Sequence, residues 1–293
     1  MALCTVYRYE TFSREAGLGN PVGIVFGGER LTPAQMMRFT RSMGYPECAF
    51  ASQDAGSDAT FRFFMPGKEM PVCGHAVLAA AAASVRHYGL EHSPLRIKTG
   101  AGVFSLQYDR RQQTVKMEQH AARFAPFTGT RSDLAALLHT GENAIRHDLP
   151  VVYANTGLWT LLVPIVSKEE CAMLFAYKEH FPSVLKEYPF ASVHPFVFST
   201  FLPEADIHCR HFCSFRSGYE EDAATGTAGG ALASYCLKYV YPDQEECSLV
   251  VEQGTELGKK SLLSVHAVRR DGEIYPDVEG NVIFCGSDCV NLG

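Results

Sequence analysis

Two segments of the chain are apolar along almost their whole length. HAVLAAAAASV (75–85) and TAGGALASYC (227–236) lack the polar stripe that a helix on a protein surface carries. Each is therefore predicted to be a helix that protein surrounds on all sides. The first helix is predicted over about 75–88, where Gly89 supplies a C-terminal stop signal, and the second over about 227–239.

The segments that flank these helices follow the same order in both halves of the chain. A strand-like run, RFFMP (62–66) in the first half and RHFCSF (210–215) in the second, leads through a loop into the helix. A glycine-containing hairpin follows each helix. This repetition predicts two similar domains, with a small-molecule site in the cleft between them.

The loop before each helix carries candidate chemistry. Alignment of the halves on the glycine that precedes each helix pairs Cys73 with Thr225 and His75 with Thr227. The first backbone N–H groups of a helix have no partner within the helix and carry a partial positive charge. The two helix starts are therefore predicted to hold one anion, such as a carboxylate, between them.

Length and charge narrow the class of protein. A chain of 293 residues exceeds the size at which one hydrophobic core usually keeps growing. We predict one domain at about 1–120, to which a C-terminal strand at about 280–293 could belong, and a second at about 121–279. The formal net charge is −6 and basic residues form no long run, which argues against nucleic acid or an anionic membrane as the partner.

Ten cysteines raise the question of disulfides or a metal. The chain has no secretory leader pattern and no apolar stretch long enough to span a bilayer, so we expect a soluble, cytoplasmic protein with mostly reduced thiols. IHCRHFC (207–213) contains four potential zinc ligands. Strand alternation, however, places His208 on the face opposite Cys209, His211 and Cys213, so we expect no metal site.

Glu47 is an acid at the start of an apolar run. It follows Pro46 in YPECAF (45–50). Desolvation in such a setting favours an acid that can both give and take a proton near neutral pH. The competing interpretation, which the spacing alone favours, is a surface acid in the turn before a strand.

Two further candidates lie at the helix starts. Cys73 and His75 fit either a reactive thiol with a substrate-orienting imidazole or a buried cysteine with a helix-capping histidine. Asp222 precedes TGT (225–227) and fits either a substrate-binding acid or a loop cap. The glycine spacing matches neither a P-loop nor a dinucleotide-binding loop, which argues against nucleotide binding.

Together these motifs resemble one known family. GNPVGIVF (19–26), the acid in ECAF, VCGHAVLAAA (72–81) and DAATGTAGGALA (222–233) are similar, in this order, to the PhzF-like isomerases of phenazine biosynthesis. The resemblance implies the diaminopimelate epimerase fold, an α+β architecture of two pseudo-symmetric domains, each a curved mixed β-sheet or barrel around a central helix. It also implies a homodimer and a site without metal or organic cofactor.

The same resemblance assigns roles to individual residues. Glu47 would be the general acid/base, while His75 and Asp222 would orient the substrate and assist proton movement. Asn20 would line the cleft. The residues that would hold the substrate carboxylate, chiefly through backbone amides, are Cys73, Gly74, His75, Gly226 and Thr227.

The chain departs from the family pattern at several positions. Pro46 and Cys48 flank Glu47 where the family commonly has Ser and Thr, and Ala223 replaces the proline of DPATG. Thr227 stands where Ser is common. These departures leave the acid/base role in place and put the phenazine-pathway substrate in doubt.

The residue type at position 225 distinguishes racemisation by two thiols from isomerisation. Epimerases of this fold use two opposed cysteines, and here the repeat supplies Cys73 at the first position but Thr225 at the second, so two-thiol racemisation is unavailable. We expect a cofactor-independent isomerase that moves a proton, and with it a double bond, in a small carboxylate-bearing metabolite. The alternatives are a racemase with a single acid/base and a binding or interaction protein without turnover.

Overall fold

The computed structural model describes residues 3–53 and 56–291 and divides the chain into two compact units. The first unit is Met1–Glu118 with Glu279–Gly293, and the second is Gln119–Val278. Each consists of a mixed β-sheet around one buried helix, which confirms the predicted α+β class. No helix within the described residues is both long and apolar enough to cross a membrane.

The first unit is a ring of strands around a helix. Its elements are β1 Leu3–Thr11, β2 Asn20–Phe26, α1 Pro33–Met43, β3 Cys48–Ser52, β4 Ala59–Met65, β5 Lys68–Met70, α2 Gly74–Tyr88, β6 Leu95–Thr99, β7 Gly102–Asp109, β8 Thr114–Glu118 and the later part of β16 Glu273–Asn291. The order is β1-β2-β3-β4-β6-β7-β8-β16, and β16 pairs with β1 to close the ring. The pairs β2/β3 and β4/β6 are parallel.

Helix α2 fills the interior of this ring. Residues 75–85 are all buried, and the helix contacts strands on every side, including β1, β2, β6 and β8. Its many alanines let the strands approach closely. The helix ends at Gly89, whose φ of 65° is the left-handed conformation that glycine adopts most easily, so the predicted stop is confirmed.

The second unit is a mixed β-sheet around a second buried helix. Its elements are β9 Arg123–Pro126, α3 Arg131–Leu137, β10 Val152–Asn155, β11 Trp159–Pro164, α4 Lys168–Met173, α5 Phe181–Val184, β12 Ser192–Val197, β13 Ile207–Cys209, α6 Gly226–Tyr235, β14 Glu246–Gln253, β15 Ser261–Arg270 and the start of β16. The strands follow one another in order from β9 to β16. The pairs β11/β12 and β13/β14 are parallel.

The succession of strand pairs is the same in both units. From β1 to β7 the neighbours are antiparallel, parallel, antiparallel, parallel and antiparallel, and the same series runs from β10 to β15. In each unit the buried helix connects the two strands of the second parallel pair: α2 connects β4 to β6, and α6 connects β13 to β14. The predicted internal repeat is therefore confirmed.

One predicted boundary in the second unit was wrong, that of the strand before the buried helix. The strand expected at 210–215 is regular only over Ile207–Cys209, and its pairing with β12 then shrinks to one bridge between Phe212 and Val193. Between Cys209 and this bridge the regular pairing is interrupted, and Pro195 of β12 lies opposite the interruption. Because proline lacks an N–H, it cannot donate a backbone hydrogen bond to the neighbouring strand there. Helix α6 ends at Tyr235, and a π-helical segment, Cys236–Val240, continues it.

Each unit also has a hydrophobic cluster between its sheet and an outer helix. In the first unit, Met36 and Phe39 of α1 pack on Phe50 and Phe64. In the second, residues of α3, α4 and α5 pack on β10 to β12 around Tyr153. All ten cysteines lie within the described residues, and none of them is part of a disulfide there.

Candidate functional site

Glu47, Cys73 and His75 lie together in the first unit. Glu47 directly precedes β3, and its carbonyl accepts the backbone N–H of Gly23 on β2 at 3.2 Å. Cys73 is the N-cap of α2, and His75 lies in the first turn of this helix. Glu47 is 8% exposed and His75 is 6% exposed. The interpretation of Glu47 as a surface acid is therefore wrong, because the fold buries its side chain.

The three side chains are in mutual contact. The Cys73 thiol donates a hydrogen bond to Glu47 Oε2. The same oxygen lies 3.2 Å from His75 Nε2, and the other ring nitrogen, Nδ1, lies 3.3 Å from Cys73 Sγ.

The start of α2 adds positive potential to this cluster. The first intrahelical bond runs from the N–H of Val77 to the carbonyl of Cys73 at 2.9 Å. The N–H groups of Gly74 and His75 therefore have no acceptor within the helix and can face an anion. The prediction that they bind a substrate carboxylate stays a prediction.

Asn20, predicted to line the site, is buried at the first position of β2 and lies opposite Thr11 on β1. The preceding Gly19 explains part of the GNP motif. A Cβ at Gly19 would lie 2.6 Å from the carbonyl oxygen of Thr11, so only glycine allows the chain to pass there without a shift.

Asp222 lies in a second cluster, within the second unit. The Thr225 hydroxyl donates to Asp222 Oδ2 at 2.6 Å. Gln253, at the end of β14, donates from Nε2 to the Asp222 carbonyl at 2.7 Å and to Thr225 Oγ1 at 3.2 Å, and its Oε1 accepts the Thr225 N–H at 3.2 Å. Gln253 is only 1% exposed, so one buried amide fixes the loop that carries Asp222.

The side chain of Thr225 does not cap helix α6. It occupies the N-cap position of α6, but its hydroxyl donates to Asp222 instead of accepting from the helix. The carbonyls of Gly226 and Thr227 accept hydrogen bonds from Gln119 Nε2 at 2.8 Å and Thr156 Oγ1 at 2.9 Å. These contacts hold the first turn of α6 from two sides.

Two buried histidines lie behind Asp222. The Asp222 N–H donates to the carbonyl of His211 at 3.0 Å, and His211 Nδ1 lies 3.1 Å from His194 Nδ1. Burial lowers the pKa of His211 to about 4, although the charge of Asp222 opposes this shift. Burial, together with His211, lowers the pKa of His194 well below its usual value. Both rings are therefore neutral at physiological pH, and one donates its Nδ1–H to the other.

The internal repeat shows which groups belong to one half alone. Strands β3 and β12 occupy the same place in the two units, each parallel to the strand before it and antiparallel to the strand after it. Glu47 precedes β3, whereas the buried Ala191 precedes β12. Likewise, Thr225 takes the place of Cys73 before the helix. Only the first unit has the carboxylate and the thiol at these positions.

Sequence reasoning missed Gln253, Gln119 and Thr156. Gln253 had a recognisable signal, because it follows the apolar run of β14 and directly precedes the glycine of the hairpin turn, as Thr99 does in the first half. Gln119 and Thr156 have no such signal, since they lie in irregular connections.

Comparison with known sequences identifies a family. Residues 9–283 match the family described as "Phenazine biosynthesis-like protein". The chain is 36% identical over 282 residues to the "Uncharacterized isomerase YfhB" of Bacillus subtilis (strain 168), covering 95% of this chain and 96% of that protein. It is 27% identical over 281 residues to the trans-2,3-dihydro-3-hydroxyanthranilate isomerase of Pseudomonas fluorescens, covering 94% of each.

Solved structures agree with these relatives. The Bacillus anthracis phenazine biosynthesis protein of the PhzF family superposes with a TM-score of 0.92 at 34% identity, over 99% of this chain and 100% of that one. A probable proline racemase from Agrobacterium radiobacter K84 gives a TM-score of 0.65 at 14% identity, over 99% and 93%, and so shares the fold alone. The predicted epimerase-type fold is thereby confirmed.

Proposed function

This chain belongs to the phenazine biosynthesis-like family of isomerases, and from this premise we propose that Glu47 carries the proton in its reaction. The proposed reaction moves a proton, and with it a double bond, within a small carboxylate-bearing metabolite. It needs no metal or organic cofactor, because one carboxylate can serve first as base and then as acid.

A single observation carries this proposal. Glu47 is a buried carboxylate whose Oε2 contacts both a thiol and an imidazole, and its counterpart in the second unit is Ala191. A racemase of the two-base type needs an acid/base group on each side of the substrate. The repeat supplies such a group once, which favours an isomerisation by one acid/base over racemisation.

The remaining roles rest on the family resemblance. We propose that His75 and Asp222 orient the substrate and that the first amides of α2 and α6 bind its carboxylate. The relative from Pseudomonas fluorescens is named for a dihydro-hydroxyanthranilate, a cyclic, unsaturated amino acid. Compounds of this class are the first substrates to test.

Deuterium exchange tests the role of Glu47. Cyclic unsaturated amino acids are incubated with the protein in deuterated water, and incorporation is followed by NMR. Because general acid/base groups contribute about 10²–10⁴-fold, Glu47→Gln should lower the exchange rate at least 100-fold. Glu47→Asp keeps the carboxylate on a shorter side chain, so its exchange rate should lie between those of the unchanged protein and Glu47→Gln.

A matched control removes a carboxylate elsewhere in the same unit. Glu29 is exposed, and Glu29→Gln should leave the exchange rate unchanged. Full exchange by Glu47→Gln would contradict the proposal. Chiral chromatography of the same mixtures reports on the alternative, since a racemase would produce the opposite enantiomer.

A further inference from the structure

The cluster of Glu47, Cys73 and His75 combines a carboxylate, a thiol and an imidazole. Each side chain offers one ligand atom, and these atoms lie within 4.8 Å of one another. In residues 3–53 and 56–291 no other three His, Cys, Asp or Glu side chains meet this criterion. We propose that the cluster binds a thiophilic divalent cation of the Zn²⁺ type and that the bound ion blocks proton transfer by Glu47.

The distance between Cys73 and His75 fits such an ion. With Zn–S bonds of about 2.3 Å and Zn–N and Zn–O bonds of about 2.0 Å, the ligand atoms of a tetrahedral site lie about 3.3–3.6 Å apart. Cys73 Sγ is 3.3 Å from His75 Nδ1, within this range, but only 2.5 Å from Glu47 Oε2, so the carboxylate has to rotate away from the thiol when an ion enters. Small rotations of buried side chains would thus bring three ligands onto one ion.

Burial and access favour binding at this place. The side chains of Glu47 and His75 are 11% and 6% exposed, so little side-chain freedom is lost when they ligate. Cys73 is only partly buried and offers a path from solvent. Three protein ligands leave the fourth position of the ion for water, as in open zinc sites.

The charges also balance. As the Zn–S bond forms, the S–H bond breaks and its proton leaves to the solvent. A thiolate, an ionised carboxylate and a neutral imidazole then surround a dication, so the complex carries no net charge. The thiol proton that now joins Cys73 to Glu47 is thereby replaced by the ion. The positive end of α2 further favours the thiolate.

Occupation by the ion would stop catalysis by Glu47. A carboxylate oxygen that ligates a cation no longer accepts a proton from a substrate. Chelation should restore activity, because no covalent bond of the protein is changed. Mg²⁺, which prefers a shell of oxygen ligands and retains its water, should neither bind tightly nor inhibit.

Cobalt provides a direct probe. The full-length protein, freed of metal with a chelator, is titrated with Co²⁺ while thiolate-to-cobalt charge transfer is recorded in the near ultraviolet. We expect one ion per chain, displacement of Co²⁺ by Zn²⁺, and release of one proton per ion in calorimetry with buffers of different ionisation enthalpy.

Two variants separate this site from other thiols. Cys73→Ser should abolish the charge-transfer band and weaken Zn²⁺ binding roughly tenfold or more. Cys289→Ser, which removes an exposed thiol, should bind like the unchanged protein. Unaltered binding by Cys73→Ser, or loss of the band in Cys289→Ser, would overturn the proposal.

Inhibition by the ion rests on the proposed function of Glu47, whereas binding of the ion does not. The spectrum and the proton release report ion binding whether or not a substrate has been found. If Glu47→Gln exchanged deuterium at the full rate, the proposed function would fail while the evidence for ion binding remained. If the charge-transfer band were absent, the ion site would fail while the exchange result remained.

Discussion

The hydroxyl of Thr225 donates to Asp222 Oδ2 at 2.6 Å and at the same time accepts from Gln253 Nε2 at 3.2 Å. The direction of the Thr225 proton is therefore fixed by a buried amide. At the matching position of the first unit, Cys73 donates instead to Glu47. In each unit the side chain before the buried helix is thus a donor to an acid.

Thr225→Val tests the contact with Asp222. Valine keeps the branched shape but removes the donor, and hydrogen bonds to charged groups contribute about 1.5–3 kcal/mol. We expect the free energy of unfolding to fall by about that amount, measured by urea denaturation. Thr225→Ser, which keeps the hydroxyl, should recover most of it. Equal stability of the valine and serine variants would show that the contact contributes nothing.

Gln253→Leu tests the buried amide. The substitution would leave the Asp222 carbonyl and the Thr225 N–H without their Gln253 contacts, and an unsatisfied buried polar group costs about 1–3 kcal/mol. A loss of stability larger than that of Thr225→Val is expected in the same denaturation experiment. Gln244→Leu, at an exposed position, should change stability little. Similar losses in both leucine variants would argue against a special role of Gln253.

Two glycines that flank one short 3₁₀ turn, Thr255–Leu257, provide a matched pair. Both have a positive φ, 90° at Gly254 and 69° at Gly258. A Cβ at Gly254 would lie 2.7 Å from the carbonyl oxygen of Ala223, whereas one at Gly258 would meet nothing within 4 Å.

Alanine at Gly258 should therefore cost only the backbone strain, about 1 kcal/mol. Alanine at Gly254 should cost more, because it also displaces the loop next to Asp222. Thermal unfolding compares the two variants. Equal melting temperatures would contradict the predicted clash with Ala223.

His208 should make stability fall at high pH. It is fully buried, with Nδ1 3.0 Å from Glu252 Oε1 and Nε2 3.1 Å from Glu256 Oε1. Burial acts to lower the pKa of His208, but the proximity of Cys171, Glu252 and Glu256 outweighs burial and raises this pKa to about 11. The protonated form is therefore favoured in the folded state.

The sign of the pH effect follows from this shift. The contribution of His208 is fully present below its unfolded pKa of about 6.5 and is lost as pH rises towards 11, at no more than about 1.4 kcal/mol per pH unit. Between pH 7 and 10 the unchanged protein should lose stability more steeply than His208→Gln. His147→Gln, at an exposed histidine, should follow the unchanged protein. Parallel curves for all three would refute the raised pKa.

The buried helices could be predicted because burial on all sides determines which residue types a helix contains. A helix with protein on all sides has no polar stripe, and Gly89 marks the end of the first one. The placement of Cys73 and His75 at the start of α2 followed from the same pattern. Burial of Glu47 was only one of two interpretations, because it depends on strands that are distant in the chain.

Other features depend on pairing that no local pattern reveals. The gap after β13 arises from Pro195 on the neighbouring strand, and the sequence around Cys209 contains no trace of it. The equivalence of Glu47 and Ala191 likewise requires the order of the strands, since the connections before β3 and β12 differ in length. Gln253 was missed because its partners lie 28 and 31 residues away.

The presence of Ala191 at the position that is equivalent to Glu47 in the repeat has a stereochemical consequence for the proposed reaction. A lone carboxylate that removes a proton and returns it can do both only from the face of the substrate that it touches, so the transfer is suprafacial. Because Glu47 is 8% exposed, the proton it holds is also shielded from water. Part of an isotopic label taken from the substrate should therefore reappear in the product molecule instead of washing out into the solvent.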